Sequence, residues 1–264
     1  MLCDFIAPLE RYFGFDVGAS ILNQHEKNGA KVYIGVNLFN LKYEGDSQGR
    51  VTKVVLENGY EIPADLVVVG AGNIPNIQLA KDAGLEMDRN GGVKTNPFLQ
   101  SSDPNIFAAG DIASFPSWYS GDNLRIEHWI VAQDQGTYAA FNMLGKMVPY
   151  GNVPFFWTNH YQKGMQYVGH AMDWDDILID GIPRNNQFVA IYSKNNKILA
   201  ACGQGRSKDL LTLFEGMQTN VLPPFSQLKS GEITLDDINK IVRMNKGGSV
   251  CRKANCCQKK TIVQ

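Results

Sequence analysis

The stretch from Ile106 to Gly136, "IFAAGDIASFPSWYSGDNLRIEHWIVAQDQG", decides the fold. A short apolar run, residues 106–109, ends at Gly110-Asp111. A loop follows, and Glu127-His128-Trp129 then opens a helix that runs from about Glu127 to Leu144. An apolar run of this length closed by glycine predicts a strand buried in a sheet. Ligands of open α/β sheets lie beyond the carboxyl ends of such strands, which is where Asp111 falls. Gly110 leaves a ligand room, and the carboxylate can take a polyol hydroxyl in a charge-assisted hydrogen bond. A turn or N-cap acid is the other reading of the dipeptide by itself. Along the helix, Ala132, Gly136, Ala139, Ala140 and Met143 share one face, which predicts close packing on a sheet or a ligand.

Upstream, residues 65–69 (DLVVV) form an unbroken apolar run that ends in Gly70-Ala71-Gly72. This pattern predicts a central strand covered on both faces, with glycines that let the backbone turn or approach a ligand. Residues 16–28 have helical spacing and stop at Asn28-Gly29. A short strand is expected over 31–35, and antiparallel pieces over 38–42, 51–56 and 61–62, with turns at 45–49 and 58–59. A short helix over 77–83 is closed by Gly84. From Tyr150 the character changes. Strand-sized runs at 154–157, 167–169, 177–180, 188–193 and 197–202 carry a hairpin signal at Lys194-Asn195-Asn196-Lys197. Helices are expected over 208–219 and 235–243. The last twenty residues hold five basic residues and no acids, which predicts a flexible tail.

Composition narrows the function classes. The chain has 264 residues, 44% of them hydrophobic, and a net charge of −1. That balance creates no global field to attract nucleic acid. No apolar run approaches the roughly 20 residues of a membrane span. The N-terminal stretch carries Asp4 and no basic region, unlike a targeting segment. The five cysteines form no disulfide framework, which points to a reducing compartment. Cys251, Cys256 and Cys257 lack the four ligands of a closed zinc site, so no metal site is expected.

"LVVVGAG", then "NIFAAGDIA", then "RIEHWIVAQDQG" resemble in order the two-dinucleotide-binding-domain flavoprotein reductases. That family includes the ferredoxin reductases of oxygenase systems and the apoptosis-inducing factors. "PFFWTNHYQKGMQYVGHAMDWDDILIDG" resembles the start of their C-terminal domain, and the run from Pro8 to about Leu222 is most similar to the apoptosis-inducing-factor-like branch with a Rieske-type domain. The resemblance implies an α/β fold: the remainder of two Rossmann-like FAD/NAD(P)-binding domains, then an α+β C-terminal reductase domain. Its divisions would be the later part of the NAD(P)-binding domain (1–66), the C-terminal part of the FAD-binding domain (67–149), the reductase domain (150–244) and a basic tail (245–264).

The same resemblance implies residue roles. Asp111, after Gly110, would bind the ribityl hydroxyls of FAD. Glu127 would lie near the nicotinamide carboxamide and His128 against the flavin ring. Trp129 and its helix N-terminus would face the pyrimidine side, where the helix dipole favours negative charge. Trp157 would pack near the flavin, and Gly70 and Gly72 would mark the crossing between nucleotide domains. On its chemistry alone, Trp157 reads equally well as a core aromatic. The implied activity is FAD-dependent NAD(P)H oxidation with electrons passed to an iron–sulfur protein or domain. A Rieske cluster is expected only in a longer parent chain. No catalytic acid or base is required, and the protein supplies orientation while the cofactor supplies the chemistry.

The family's glycine fingerprint, G-x-G-x-x-G between a first strand and helix, is absent. The chain therefore reads as the C-terminal portion of such a flavoprotein, cytoplasmic or mitochondrial. The other reading is a truncated, non-catalytic interaction or cell-death regulatory module that no longer holds FAD.

Overall fold

A computed structural model describes the backbone of residues 1–253 and the side chains of residues 1–245. In chain order, the first part comprises α1 (Glu10–Phe13), α2 (Phe15–Lys27), β1 (Lys42–Gly45), β2 (Val51–Val55), β3 (Glu61–Pro63) and α3 (Gln78–Asp82). The middle part holds β4 (Val93–Lys94), β5 (Ala113–Pro116), β6 (Asn123–Leu124) and α4 (Trp129–Met143). The last part holds β7 (Phe155–His160), β8 (Lys163–Gly169), β9 (Asp176–Ile182), β10 (Gln187–Lys194), β11 (Lys197–Gln204), α5 (Ser207–Thr219), α6 (Phe225–Lys229) and α7 (Leu235–Lys253).

The last part contains the largest sheet, an antiparallel one in the order β7-β8-β11-β10-β9. Its two central strands are buried nearly end to end because both faces are covered. Side chains alternate across a strand. Val189 and Ile191 therefore join Leu210, Leu213, Met217, Ile238 and Val242 of α5 and α7 on one face. Phe188, Ala190 and Tyr192 face the other way, against Val17 and Ile21 of α2. The hairpin turn falls at Lys194–Lys197, with a bulge after Tyr192. The five-residue α6 follows Pro223-Pro224 and has no periodic signal of its own.

Helix α2 is fastened to this sheet by polar bonds as well. Ser20 Oγ donates to Pro183 O at 2.8 Å, and Gln24 Nε2 donates to Asn186 Oδ1 at 2.7 Å and Gln204 Oε1 at 3.1 Å. Gln24 is buried. Replacing it with Ala strands two acceptors, so Gln24→Ala should cost about 1–3 kcal/mol in a denaturant melt. A loss below about 0.5 kcal/mol would show that α2 is not docked in this way.

The first half departs from several expectations. Residues 65–69 form no strand: Leu66 is 78% and Val68 86% exposed, and no described strand pairs with the run. A sequence suited to burial on both faces instead lines a cavity beside the β1-β2-β3 sheet without pairing with it. Residues 106–109 also form no strand, and their pairing is one bridge between Gln100 and Phe107. The segment 31–35 is reduced to a parallel bridge between Leu2 and Tyr33. Residues 38–40 are a 3-10 turn rather than strand. Helix α4 begins at Trp129, not Glu127, and buries Val131, Gln135, Ala139 and Asn142. The expected face of small residues is largely exposed: Gly136, Ala140 and Met143 point away from the packed side. The expected flexible tail begins inside α7, whose backbone stays helical to Lys253. The remaining tail, with Cys256 and Cys257, lies outside the described residues.

Candidate functional site

The residues singled out by sequence meet where a tight turn touches the start of α4. Gly110 opens a 3-10 turn at φ +78°, a backbone region that favours glycine. A Cβ at Gly110 would stand 3.4 Å from Cβ of Ala132 on α4. The Gly110 N–H donates to Oε1 of Gln135 at 2.7 Å. Gln135 is fully buried, and its Nε2 has no hydrogen-bond partner. Asp111 follows the locked glycine and is exposed.

His128 caps α4. Its Nδ1 accepts the Ile130 N–H at 3.2 Å, and its ring lies 4.2 Å from that of Phe156. Burial lowers its pKa, with the Asp111 carboxylate pulling the other way. Glu127 is paired with Arg125 at 2.6 Å. Trp129, in the first turn, is exposed. Gly110, Asp111, Glu127, His128 and Trp129 thus share one corner, formed by the 110–112 turn and the α4 N-terminus.

Three expected members stand elsewhere. Trp157 is 54% exposed and shares its face of β7 with Phe155, 6.3 Å away. The adjacent Phe156 points to the opposite face, stacking on Tyr167 and touching His128. Alternation along the strand therefore gives the corner Phe156 rather than Trp157. Gly70 lines an apolar cavity of about 470 Å³ with Leu2, Tyr33 and Val67 to Val69, away from Asp111. Gly72 sits in the same unpaired run, at φ +89°.

Sequence reasoning missed Gln135, Phe156 and Arg125. Gln135 had a signal: it falls four residues after Val131 and four before Ala139, on the face that is buried. Arg125 had little: Glu127 is two positions away, but the carbonyls of Asp111 and Asn90 are 14 and 35 positions away.

The corner presents groups whose chemistry suits a polyhydroxy ligand with an aromatic head. It offers an exposed carboxylate, an imidazole whose pKa burial lowers, the N-terminus of a helix and flanking aromatic rings. These features fit the ring and ribityl portions of FAD. The fit stops at the pyrophosphate, because no described strand leads through a glycine-rich turn into a helix. Cys202 is buried, its Sγ 3.1 Å from the Tyr192 hydroxyl, and burial pushes its thiol up to about 12. Among the described residues no cluster of three His, Cys, Asp or Glu could hold a metal ion, and no helix is long and apolar enough to cross a membrane.

Comparison with known proteins gives two family matches. The pyridine nucleotide-disulphide oxidoreductase model matches residues 5–136, and the reductase C-terminal model matches residues 155–237. Apoptosis-inducing factor 3 of Homo sapiens is 32% identical over 194 residues, covering 73% of this chain and 32% of that protein. Putidaredoxin reductase CamA of Pseudomonas putida is 34% identical over 192 residues, covering 73% of this chain and 45% of that protein. The solved covalent putidaredoxin reductase–putidaredoxin complex superposes with a TM-score of 0.80 at 30% identity, covering 92% of this chain and 57% of that one. The chain thus spans from 32% to 57% of the length of these relatives.

Proposed function

We propose, from the premise that the chain belongs to the pyridine nucleotide-disulphide oxidoreductase family, that it forms the flavin-ring side of an FAD-dependent NAD(P)H oxidoreductase. In this reading the complete protein passes electrons from nicotinamide to an iron–sulfur protein, and this chain is its C-terminal portion. The observation that carries the reading is the Gly110-Asp111 turn, fixed on α4 by the buried Gln135 beside His128. Bound FAD would accept a hydride from NAD(P)H and release electrons one at a time.

The chain's own residues bind and orient. Asp111 holds ribityl hydroxyls, His128 lies against the ring system, and the N-terminus of α4 at Trp129 faces the pyrimidine edge. Glu127 receives the nicotinamide carboxamide. Phe156 backs His128, while Trp157, on the other face of its strand, presents an exposed ring. Gly70 and Gly72 mark the crossing from the nicotinamide-binding segment (1–66) into the flavin-binding segment (67–149), ahead of the reductase domain (150–244). The cytoplasmic or mitochondrial placement rests on cysteine usage, with Cys3 and Cys202 both free.

A second reading, a non-catalytic interaction module, is favoured by one observation: the aliphatic run at residues 66–69 is exposed and unpaired. FAD titration, followed by quenching of tryptophan fluorescence, separates the two. Asp111→Ala removes a charge-assisted hydrogen bond of about 1.5–3 kcal/mol, so FAD affinity should fall at least tenfold. An unchanged dissociation constant in the variant would remove Asp111 from the site and the main support of the enzymatic reading.

A further inference from the structure

We infer that Arg125 is the positioning residue of this site, one guanidinium holding the Asp111 turn, the loop at residues 88–92 and the Glu127 carboxylate in a single frame. The inference rests on the flavin reading of the same corner. Arg125 Nε donates to the Asn90 carbonyl at 3.1 Å. Its Nη1 donates to the Asp111 carbonyl at 3.0 Å and to Glu127 Oε1 at 2.6 Å. Two distant segments and the residue two positions on therefore converge on one side chain that is only 18% exposed.

The surroundings are shaped to admit it. A Cβ on Gly92 would lie 2.8 Å from Arg125 Cδ and 2.9 Å from the Ile112 carbonyl, so only glycine lets the arginine stem pass. The loop it grips is itself cross-braced. Asn90 Nδ2 donates to Ser114 Oγ at 2.8 Å, and Ser114 Oγ donates to Asp88 Oδ2 at 2.6 Å. A cavity of about 410 Å³ opens beside the guanidinium, lined also by Lys81, Asn76 and Gln78.

The consequence is orientation. Asp111 is exposed and the Glu127 side chain is 34% exposed, and acids left unanchored would spend most of their time in unproductive rotamers. Arg125 fixes the backbone of the first and the carboxylate of the second relative to one another. Small misplacements of such groups weaken binding out of proportion to the distance involved. Lysine cannot replace this function, because a point-charge ammonium lacks the planar fork that serves several acceptors at fixed angles.

The test uses the full chain, R125A and R125K. Hydrogen–deuterium exchange is followed at residues 88–92 and 110–113, with residues 187–204 as the control for folding. FAD affinity is read from tryptophan quenching. R125A should exchange at least tenfold faster at both loops with the control unchanged, and should bind FAD at least tenfold more weakly. Millimolar N-ethylguanidinium should restore both readouts in R125A, whereas ammonium should not, and R125K should remain impaired. A stem that served only as packing would not respond to the free guanidinium. Unchanged exchange in R125A, or unchanged FAD affinity where the parent chain binds FAD, would overturn the inference. A parent chain that binds no FAD would defeat the flavin reading for this chain, while the exchange measurement would still decide the role of Arg125.

Discussion

Acidifying the protein from pH 6.5 to 4 should remove about 3 kcal/mol of stability through His170 alone. His170 follows β8, and its Nε2 is buried without a hydrogen-bond partner. Burial lowers its pKa from 6.5 to about 4. In the unfolded chain the imidazole takes up its proton near pH 6.5, whereas in the folded chain it stays neutral until about pH 4. The unfolded state therefore binds more protons throughout that window. Stability is complete above pH 6.5, falls progressively to pH 4 and levels off below it with respect to this group. His25 and His128 are shifted in the same direction, so they deepen the trend. The depressed carboxylates, Asp88 among them, titrate below their ordinary value near 3.8 and belong to a later, separate loss. Urea melts at half-unit pH steps measure the slope. His170→Phe should flatten most of it, and a slope that survives that change would assign the sensitivity elsewhere.

Gly169→Ala should destabilise the protein by about 3–5 kcal/mol. Gly169 closes β8 at φ +75°, opposite Ala200 in β11. A Cβ there would lie 2.2 Å from the Leu199 carbonyl, 2.9 Å from Met217 Sδ and 3.0 Å from Ala200 Cα. The first and third neighbours are backbone of a central strand, which cannot step aside without shifting its register. To this is added the left-handed conformation, which by itself costs an L-residue roughly 1–2 kcal/mol. For a chain of this size such a loss corresponds to a fall in Tm on the order of 10 °C. A thermal melt by circular dichroism checks it. A fall of less than about 2 °C would mean that β8 does not meet β11 in this register.

How much the sequence revealed depended on whether a segment's packing partners were present. Residues 187–204 could be read because β10 and β11 are covered by α5, α7 and α2, so an apolar run and a hairpin signal met the burial they encode. The run at 65–69 carries the same signal and pairs with no described strand, whereas 106–109 packs into two apolar clusters yet gains only one bridge. An apolar pattern states that a strand is meant to be buried, and neighbouring strands must do the burying. Helix α4 shows the same effect on its faces. Its small-residue stripe at Gly136 and Ala140 is open, while the buried side follows Val131, Gln135 and Asn142. Within the candidate site, Gly110-Asp111 and Glu127-His128-Trp129 were visible as residue types at the ends of elements. Gln135 was partly legible from its place between apolar residues. Arg125 was not, because its bond to Asn90 spans 35 positions and leaves no local pattern. Phe156 was passed over for its neighbour Trp157, a one-residue difference that only the strand's pleat decides.

The most direct test of the account is the visible absorbance spectrum of the purified 264-residue chain after incubation with FAD and desalting. The site described here predicts retained flavin bands, weaker than one flavin per chain because the pyrophosphate finds no glycine-rich turn, and reduced further in Asp111→Ala and Arg125→Ala. A colourless protein, folded by circular dichroism, would contradict the claim that the corner at Gly110, Asp111 and His128 binds a flavin in this chain.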